Sequence, residues 1–262
     1  MCGIFGFVLK KPVHTSLIFR VLQKLEVSRY PEETDPVGGF GAGVAVMLND
    51  GGIVAEKVGK EADSPVAHLA ELITPRLSDV SVLIGHVRNP SQEFMGTVKF
   101  KEAAQPYVEH FEKELTIVSS HNGKVENYKE LKERLKGHVF ESEKVGLIDS
   151  EIIPHYFSEL INETENMNEA LYRLFCTLQG SNSVSMFHVD EENAFLHLIH
   201  KGKTRGLTVW ANEKGEVIFC SRPEPVMEEF ERILARDRFK EKVLIKWRED
   251  AGLKLSFPIT FE

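Results

Sequence analysis

Between residues 182 and 221 four short apolar segments, 182–189, 194–200, 206–211 and 216–221, follow one another with only turn-length gaps. Parallel neighbours would need crossovers of a dozen or more residues, so these segments read as antiparallel strands. Leu207, Val209 and Ala211 alternate with polar or amphipathic neighbours, as half-buried strands do. Upstream, residues 42–48 and 52–57 flank Asn49, Asp50 and Gly51, a hairpin signal. Helical spacing of Leu17, Ile18, Val21, Leu22 and Leu25 predicts a helix over 15–27, and further helices are predicted over 65–76, 148–162, 168–178 and 224–236. Strands and helices come in blocks, with hairpin-like pairs and few βαβ units. That order predicts an α+β fold with antiparallel sheets rather than a doubly wound one.

The chain opens with Met1, Cys2, Gly3, Ile4, Phe5, Gly6, Phe7 and Val8. Residues 4–8 read as a buried strand. An initiator Met is normally trimmed when a small side chain follows, so Cys2 can carry both a thiol and a free α-amine. Such an amine titrates near pH 7.7–8.0, at about the value where it can serve as general base for its own thiol. The plainer alternative is that Cys2 is a small apolar residue in a terminal strand.

Composition excludes several classes. The 40 acidic and 32 basic residues give a net charge of −8, and no basic block marks a nucleic-acid surface. Cys2, Cys176 and Cys220 are an odd, scattered set that argues against a disulfide framework and for a cytoplasmic protein. The first apolar stretch precedes Lys10 and Lys11, the wrong order for a signal peptide, and is too short to span a bilayer. CxxC and HExxH patterns are absent and the ten histidines show no metal-type spacing, so neither metal nor cofactor is expected. Gly38 to Gly43 is glycine-rich but lacks the Lys-Ser/Thr ending of a phosphate loop.

Other segments offer chemistry with a structural alternative beside each. His121, Asn122 and Gly123 are expected to end a strand and open a helix. The Asn122 amide and the Gly123 N–H can converge on an oxyanion, or simply make a cap and a turn. Arg88, just past the strand predicted over 81–86, can clamp a carboxylate or be a solvated charge. Asp149 can accept an ammonium or cap a helix. Arg29 can order the loop over 30–39 or complement a helix end. His86 and His121 are expected as packed or hydrogen-bonding residues rather than bases, and Cys176 and Cys220 as core. Residues 91–115 have no sustained period and read as a long loop, with 104–107 as a turn; the end of the chain holds a strand over 243–247 and a short tail.

Taken in order, residues 1–6, 85–88, 104–107, 121–131 and 149–153 resemble the class II glutamine amidotransferase domain, of the N-terminal-nucleophile hydrolase type. The run His121-Asn122-Gly123 with Glu126-Asn127-Tyr128 and Glu130-Leu131 is the most specific part, and the Cys2-Gly3-Ile4 start is nearly as specific. The resemblance covers most of residues 1–221 and implies a four-layer αββα sandwich of two antiparallel sheets. It implies Cys2 as the nucleophile forming a γ-glutamyl thioester, with its α-amine relaying the proton. Asn122 and Gly123 become the oxyanion hole, Arg88 the clamp on the glutamine α-carboxylate and Asp149 the acceptor of its ammonium. Gly123 also holds substrate, and Arg29 supports the nucleophile's surroundings. Where the family has an aromatic residue and then a Thr after the arginine, Asn89, Pro90, Ser91 and Gln92 stand here, with Ser91 able to supply the hydroxyl. Residues 92–103 correspond to a region that closes over glutamine.

The expectation is a single domain over 1–262, with residues after about 221 a C-terminal extension too short for an ammonia acceptor. Three functions remain open: a stand-alone amidotransferase subunit feeding a partner synthase, an amidohydrolase acting on another γ-glutamyl or amide substrate, and an inactive glutamine-sensing relative. Glutamine is the expected small-molecule substrate, with no nucleic acid and no membrane as partners.

Overall fold

Strand β1 (Gly3–His14) is apolar and buried on both faces over residues 3–9, where it lies mid-sheet with other layers above and below. The computed structural model describes residues 2–111, 115–164 and 166–260. After β1 come α1 (Thr15–Val27), the hairpin β2 (Ala42–Met47) and β3 (Ile53–Val58), α2 (Pro65–Ile73) and β4 (Asp79–Val87). Two short 3-10 turns, Gln92–Thr97 and Lys101–Ala103, precede β5 (Tyr107–Phe111), β6 (Leu115–Gly123) and α3 (Tyr128–Arg134). A 3-10 turn over Asp149–Glu151 leads into α4 (Ile152–Thr164), followed by α5 (Met167–Thr177). Then come β7 (Asn182–Val189), β8 (Ala194–Lys203), β9 (Leu207–Ala211) and β10 (Val217–Cys220). The chain continues through α6 (Pro223–Glu229), α7 (Glu231–Arg236), β11 (Lys240–Ile245) and β12 (Asp250–Pro258).

The strands form two antiparallel sheets, ordered β11-β9-β10-β1-β4-β2-β3 and β12-β8-β7-β6-β5. Side-chain alternation sorts β1 into two cores. Phe5 and Phe7 pack with Leu22 and Leu25 of α1, Leu69 of α2 and Val226 of α6. Ile4 and Val8 face the other way, meeting Val118, Phe187 and Leu198 of the second sheet. Beyond that sheet, Leu131, Phe157, Leu171 and Leu174 build a third core under α3, α4 and α5. The result is the αββα sandwich. The helix starts are local: Ser64 Oγ accepts from Ala67 N–H at 3.1 Å with Pro65 following, a capped N-terminus.

Several expectations change. Residues 91–115 are not one loop: Phe94 and Tyr107 are buried, and β5 pairs with β6 from Tyr107↔Ser119 to Phe111↔Leu115. The short tail is instead β12, paired with β8 from Asp250↔Lys203 to Pro258↔Phe195. One helix over 224–236 becomes two, broken at Phe230, whose ring is fully buried and packs edge-on against Phe5. After Gly123 no helix opens until Tyr128. Cys220 is core, but Cys176 is exposed, because Ala170, Leu171 and Leu174 take the inward face of α5. Among the described residues no helix is long and apolar enough to cross a membrane.

Phe230 joins α6 and α7 to the underside of β1, so Phe230→Ala should destabilise the protein by about 3–5 kcal/mol. Equilibrium urea unfolding measures this; a loss below about 1 kcal/mol would show that the β1 core closes without it.

Candidate functional site

Cys2 stands at the mouth of a cavity of about 200 Å³, lined also by Arg88, Ser91, Gln105, Gly123, Lys124 and Asp149. Larger hollows of about 510 and 550 Å³ lie elsewhere, and neither is lined by a cysteine or histidine. The pairing of β1 with β4 sets Gly3 opposite Val87, which brings Cys2 beside the chain leaving β4. There the Asn89 N–H donates to Cys2 Sγ at 3.4 Å, and the thiol faces the Asn89 carbonyl at 3.6 Å. The Asn89 amide itself donates to the Pro36 carbonyl at 2.6 Å, tying the neighbour of Cys2 to the loop after α1.

Arg88 is 3% exposed. Its two terminal nitrogens donate to Thr97, one to the carbonyl at 3.2 Å and one to Oγ1 at 2.7 Å. A guanidinium has five N–H groups, so each terminal nitrogen retains one for a second, bidentate acceptor. Burial pulls the Arg88 pKa down, while the Cys2, Tyr107 and Asp149 groups oppose that shift.

Asp149 begins the 3-10 turn before α4, and its Oδ2 accepts from Val125 N–H at 2.8 Å. Burial lifts its pKa to about 7, against the lowering effect of the Val125 bond. The carboxylate therefore stays ready for a proton or a cationic partner near neutrality.

Asn122 and Gly123 end β6. Alternation places Asn122 on the face it shares with Val118, which looks across the inter-sheet layer toward Ile4 and the start of β1. Asn122 is fully buried, and neither its Oδ1 nor its Nδ2 has a hydrogen-bond partner among the described residues. A buried amide without a partner is costly unless a ligand completes it. Gly123 has φ +152°, and a Cβ there would collide with the Ser181 carbonyl, so the position requires glycine.

Five of the seven predicted site residues, Cys2, Arg88, Ser91, Gly123 and Asp149, thus line one cavity. Asn122 lies at the strand end beside it. Arg29 is exposed, contacts the Thr34 carbonyl at 3.3 Å and does not line the cavity. Ser91 is exposed at the rim, after Asn89 and Pro90.

A supporting frame escaped the sequence reading. Gln105 Oε1 accepts from His121 N–H at 2.6 Å, while its amide donates to the His121 carbonyl and to Ser150 Oγ, each at 3.2 Å. The His121 ring bridges Ser150 Oγ at 2.8 Å and Asn182 Oδ1 at 3.0 Å. Burial drives the pKa of both His86 and His121 down to about 3, with the Arg88 charge assisting at His86. Neutral at physiological pH, His121 holds the frame through both ring nitrogens, whereas those of His86 have no hydrogen-bond partner among the described residues. Glu93 accepts from Lys124 at 3.1 Å and from the Tyr128 hydroxyl at 2.9 Å, pinning the 92–97 turn over the cavity. Such long-range partners leave no mark on local spacing. Gln105, His121, Tyr128 and Ser150 fall within the 104–107, 121–131 and 149–153 motifs; Glu93 and Asn182 carried no signal.

A family model described as a glutamine amidotransferase domain matches residues 93–228. Glutamine--fructose-6-phosphate aminotransferase [isomerizing] of Thermococcus kodakarensis is 28% identical over 253 residues, covering 94% of this chain and 36% of that one. The protein of the same name from Chlamydia trachomatis is 29% identical over 208 residues, covering 77% and 29%. The chain therefore spans about a third of the length of these curated relatives. Among solved structures, the glutamine phosphoribosylpyrophosphate amidotransferase from B. subtilis, complexed with ADP and GMP, aligns with all of this chain and 50% of its own. The TM-score is 0.64 at 15% identity. A second structure, titled as the allosteric regulatory enzyme of purine biosynthesis, aligns over 100% of this chain and 50% of that one with a TM-score of 0.63 at 16% identity. These two likenesses show the fold.

Asp149 predicts a stability signature. Its folded pKa is raised above the unfolded value, so its contribution is fully present below the unfolded pKa and lost as pH rises through about 7. Asp149→Asn keeps an acceptor for Val125 and removes that loss. Thermal unfolding of ligand-free protein should show the variant gaining on the parent at about pH 8 and little at about pH 4. An equal difference at both pH values would mean that the carboxyl is not held near neutrality.

Proposed function

The chain belongs to the glutamine amidotransferase domain family, of the class II, N-terminal-nucleophile type, and from that membership we propose that it hydrolyses the side-chain amide of glutamine at Cys2. The observation that carries the reading is the meeting of Cys2, Arg88, Gly123 and Asp149 on one cavity of amino-acid size. Arg88 would hold the α-carboxylate with its remaining N–H groups, and ionised Asp149 would take the α-ammonium. The side-chain amide is thereby directed to the thiol. Arg88 and Asp149 suit an amino-acid head group, which favours glutamine over an unrelated amide.

In the reaction, Cys2 Sγ attacks the amide carbon after its proton passes to the α-amine exposed by loss of Met1. The carbonyl oxygen becomes an oxyanion facing the Asn122 amide and the Gly123 N–H, donors of a kind that contribute roughly 3–4 kcal/mol each when removed singly. Collapse breaks the C–N bond, and the nitrogen leaves as ammonia with the relayed proton. Water then cleaves the γ-glutamyl thioester, giving glutamate and restoring the thiol. No histidine takes part, in keeping with the low pKa of His86 and His121.

The ammonia acceptor belongs, in this reading, to a synthase unit outside these 262 residues. Support comes from the curated relatives, aminotransferases of which this chain spans about a third. Residues 1–262 would act as one glutaminase unit in the cytoplasm, with the stretch after about 221 bracing both sheets through β11 and β12.

Met-trimmed protein should release glutamate and ammonia in equal amounts from glutamine, and Cys2→Ser should abolish both. Release that persists in Cys2→Ser would reject Cys2 as nucleophile; no release by the parent, with or without Met1, would reject the glutaminase reading for the isolated chain.

A second outcome follows from Asp149. Because a neutral carboxyl cannot pair with an ammonium, glutamine affinity in the Cys2→Ser protein should weaken about tenfold per pH unit below about 7. Calorimetric titration across pH reads this directly. Asp149→Asn should bind weakly and without that slope; an unchanged slope would remove Asp149 from the head-group site.

A further inference from the structure

At the first turn of α4, outside the lining of the glutamine cavity, two histidines and a glutamate from three separate elements converge. Glu109 lies on β5, His138 on the loop after α3 and His155 on α4. His138 Nδ1 is 2.9 Å from Glu109 Oε1, His155 Nδ1 is 2.9 Å from Glu109 Oε2, and the two Nδ1 atoms are 3.1 Å apart. Each residue offers one such atom, and all lie within 4.8 Å of one another. The His138 side chain is 4% exposed and that of His155 2%.

Proton bookkeeping makes this arrangement awkward as a plain hydrogen-bond cluster. His138 Nε2 sits 2.8 Å from Glu159 Oε1, which can only accept, so Nε2 carries the hydrogen. A neutral His138 then turns the bare lone pair of Nδ1 toward a carboxylate oxygen. Satisfying both Glu109 contacts with protons takes an imidazolium at His138 and an Nδ1–H on His155, which turns two N–H groups on each other 3.1 Å apart. A cation between the three donors satisfies them with both rings neutral.

We propose that His138 Nδ1, His155 Nδ1 and the Glu109 carboxylate bind a divalent transition-metal ion of the zinc type. Around a tetrahedral ion with bonds of about 2.0–2.2 Å, ligand atoms lie roughly 3.3 Å apart, so shifts of a few tenths of an ångström suffice. Two imidazoles and one carboxylate suit zinc and its first-row neighbours, and not magnesium or calcium. The outer shell has the matching form. His138 presents its other nitrogen to Glu159 at 2.8 Å, as ligating histidines do with carboxylates that fix their tautomer, and His155 Nε2 lies 3.9 Å from Glu151 Oε1. Phe140 covers the site, its ring centroid 4.2 Å from that of His155. The ion's role is structural: it would clip the edge strand β5 and the 135–151 connection onto α4.

Chelator-treated full-length protein carrying Cys2→Ser, which removes the competing N-terminal thiol, is titrated with zinc and read by Tm and by metal content after gel filtration. One ion per chain should be retained, and zinc at about 100-fold over its Kd should raise Tm by roughly 5–10 °C, with magnesium inert. Glu109→Ala should abolish the shift, and Glu159→Ala should weaken zinc binding about 10–100-fold. No zinc-dependent shift, or one that survives unchanged in folded Glu109→Ala protein, overturns the proposal. Should Glu109→Ala not fold, an unaltered zinc affinity in Glu159→Ala overturns it instead.

Discussion

The layer between the two sheets is the constraint from which the rest follows. β1 occupies the middle of the larger sheet, between β10 and β4, with helices against one face and the second sheet against the other. A strand so enclosed cannot slip by one residue, since that would exchange Ile4 and Val8 with Phe5 and Phe7 between two differently shaped cores. Its register is thus fixed, and with it the position of Cys2 against Asn89. The same layer fixes β6 through Val118, which carries Asn122 and Gly123 to the opposing edge. Cys2, the proposed nucleophile, and the proposed oxyanion donors are held by two separate sheets. Their relation is therefore set by packing rather than by any single loop.

Burial then does the electrostatic tuning. The pressure that expels protons from His86 and His121 holds one on Asp149 up to about pH 7. Desolvation penalises the charged form in both cases, and only the sign of the group differs. Arg88 is the opposing charge, anchored by Thr97 rather than by a carboxylate. A carboxylate partner would have neutralised it and blocked a substrate's own carboxylate. An anchor made of a hydroxyl and a carbonyl leaves the positive charge available. The cavity thus carries a cation uncommitted to any carboxylate and an anion held near neutrality, and beside it lies an Asn122 amide without a hydrogen-bond partner among the described residues.

What could be read from the sequence was whatever leaves a local trace. The period of α1, the β2–β3 hairpin and the four-strand run from β7 to β10 depend on neighbours within a few residues, and the structure places them near the expected bounds. Cys2, Arg88, Asn122, Gly123 and Asp149 were recognisable because each stands at a strand end or turn within a family-like motif. By contrast β5 and β12 are edge strands that owe their existence to partners β6 and β8, and Phe230 splits a helix to reach Phe5. Thr97, Ser150 and the Glu93 clasp meet the site through contacts spanning 9 to 35 residues. Exposed Cys176 was misplaced because a helix stripe two residues off registers the wrong face.

The histidine cluster shows the same limit most sharply. No two of Glu109, His138 and His155 stand at a ligand-like spacing, and only the pairing of β5 with β6 under α4 brings them together. The segment they brace is the one that carries Asp149. Glu151, two residues on at the entry to α4, accepts from Glu141 N–H at 2.6 Å and from Ser142 N–H at 2.9 Å, and it faces His155 of the first α4 turn at 3.9 Å. The 135–148 connection is thereby tied to the turn holding Asp149, whose own carboxylate is steadied, among the described residues, by the Val125 and Ser150 amides. An ion at His138, His155 and Glu109 would stiffen that turn from its far side. A buried anion needs such stiffness, because a site that relaxes on ionisation loses the geometry that an ammonium must meet.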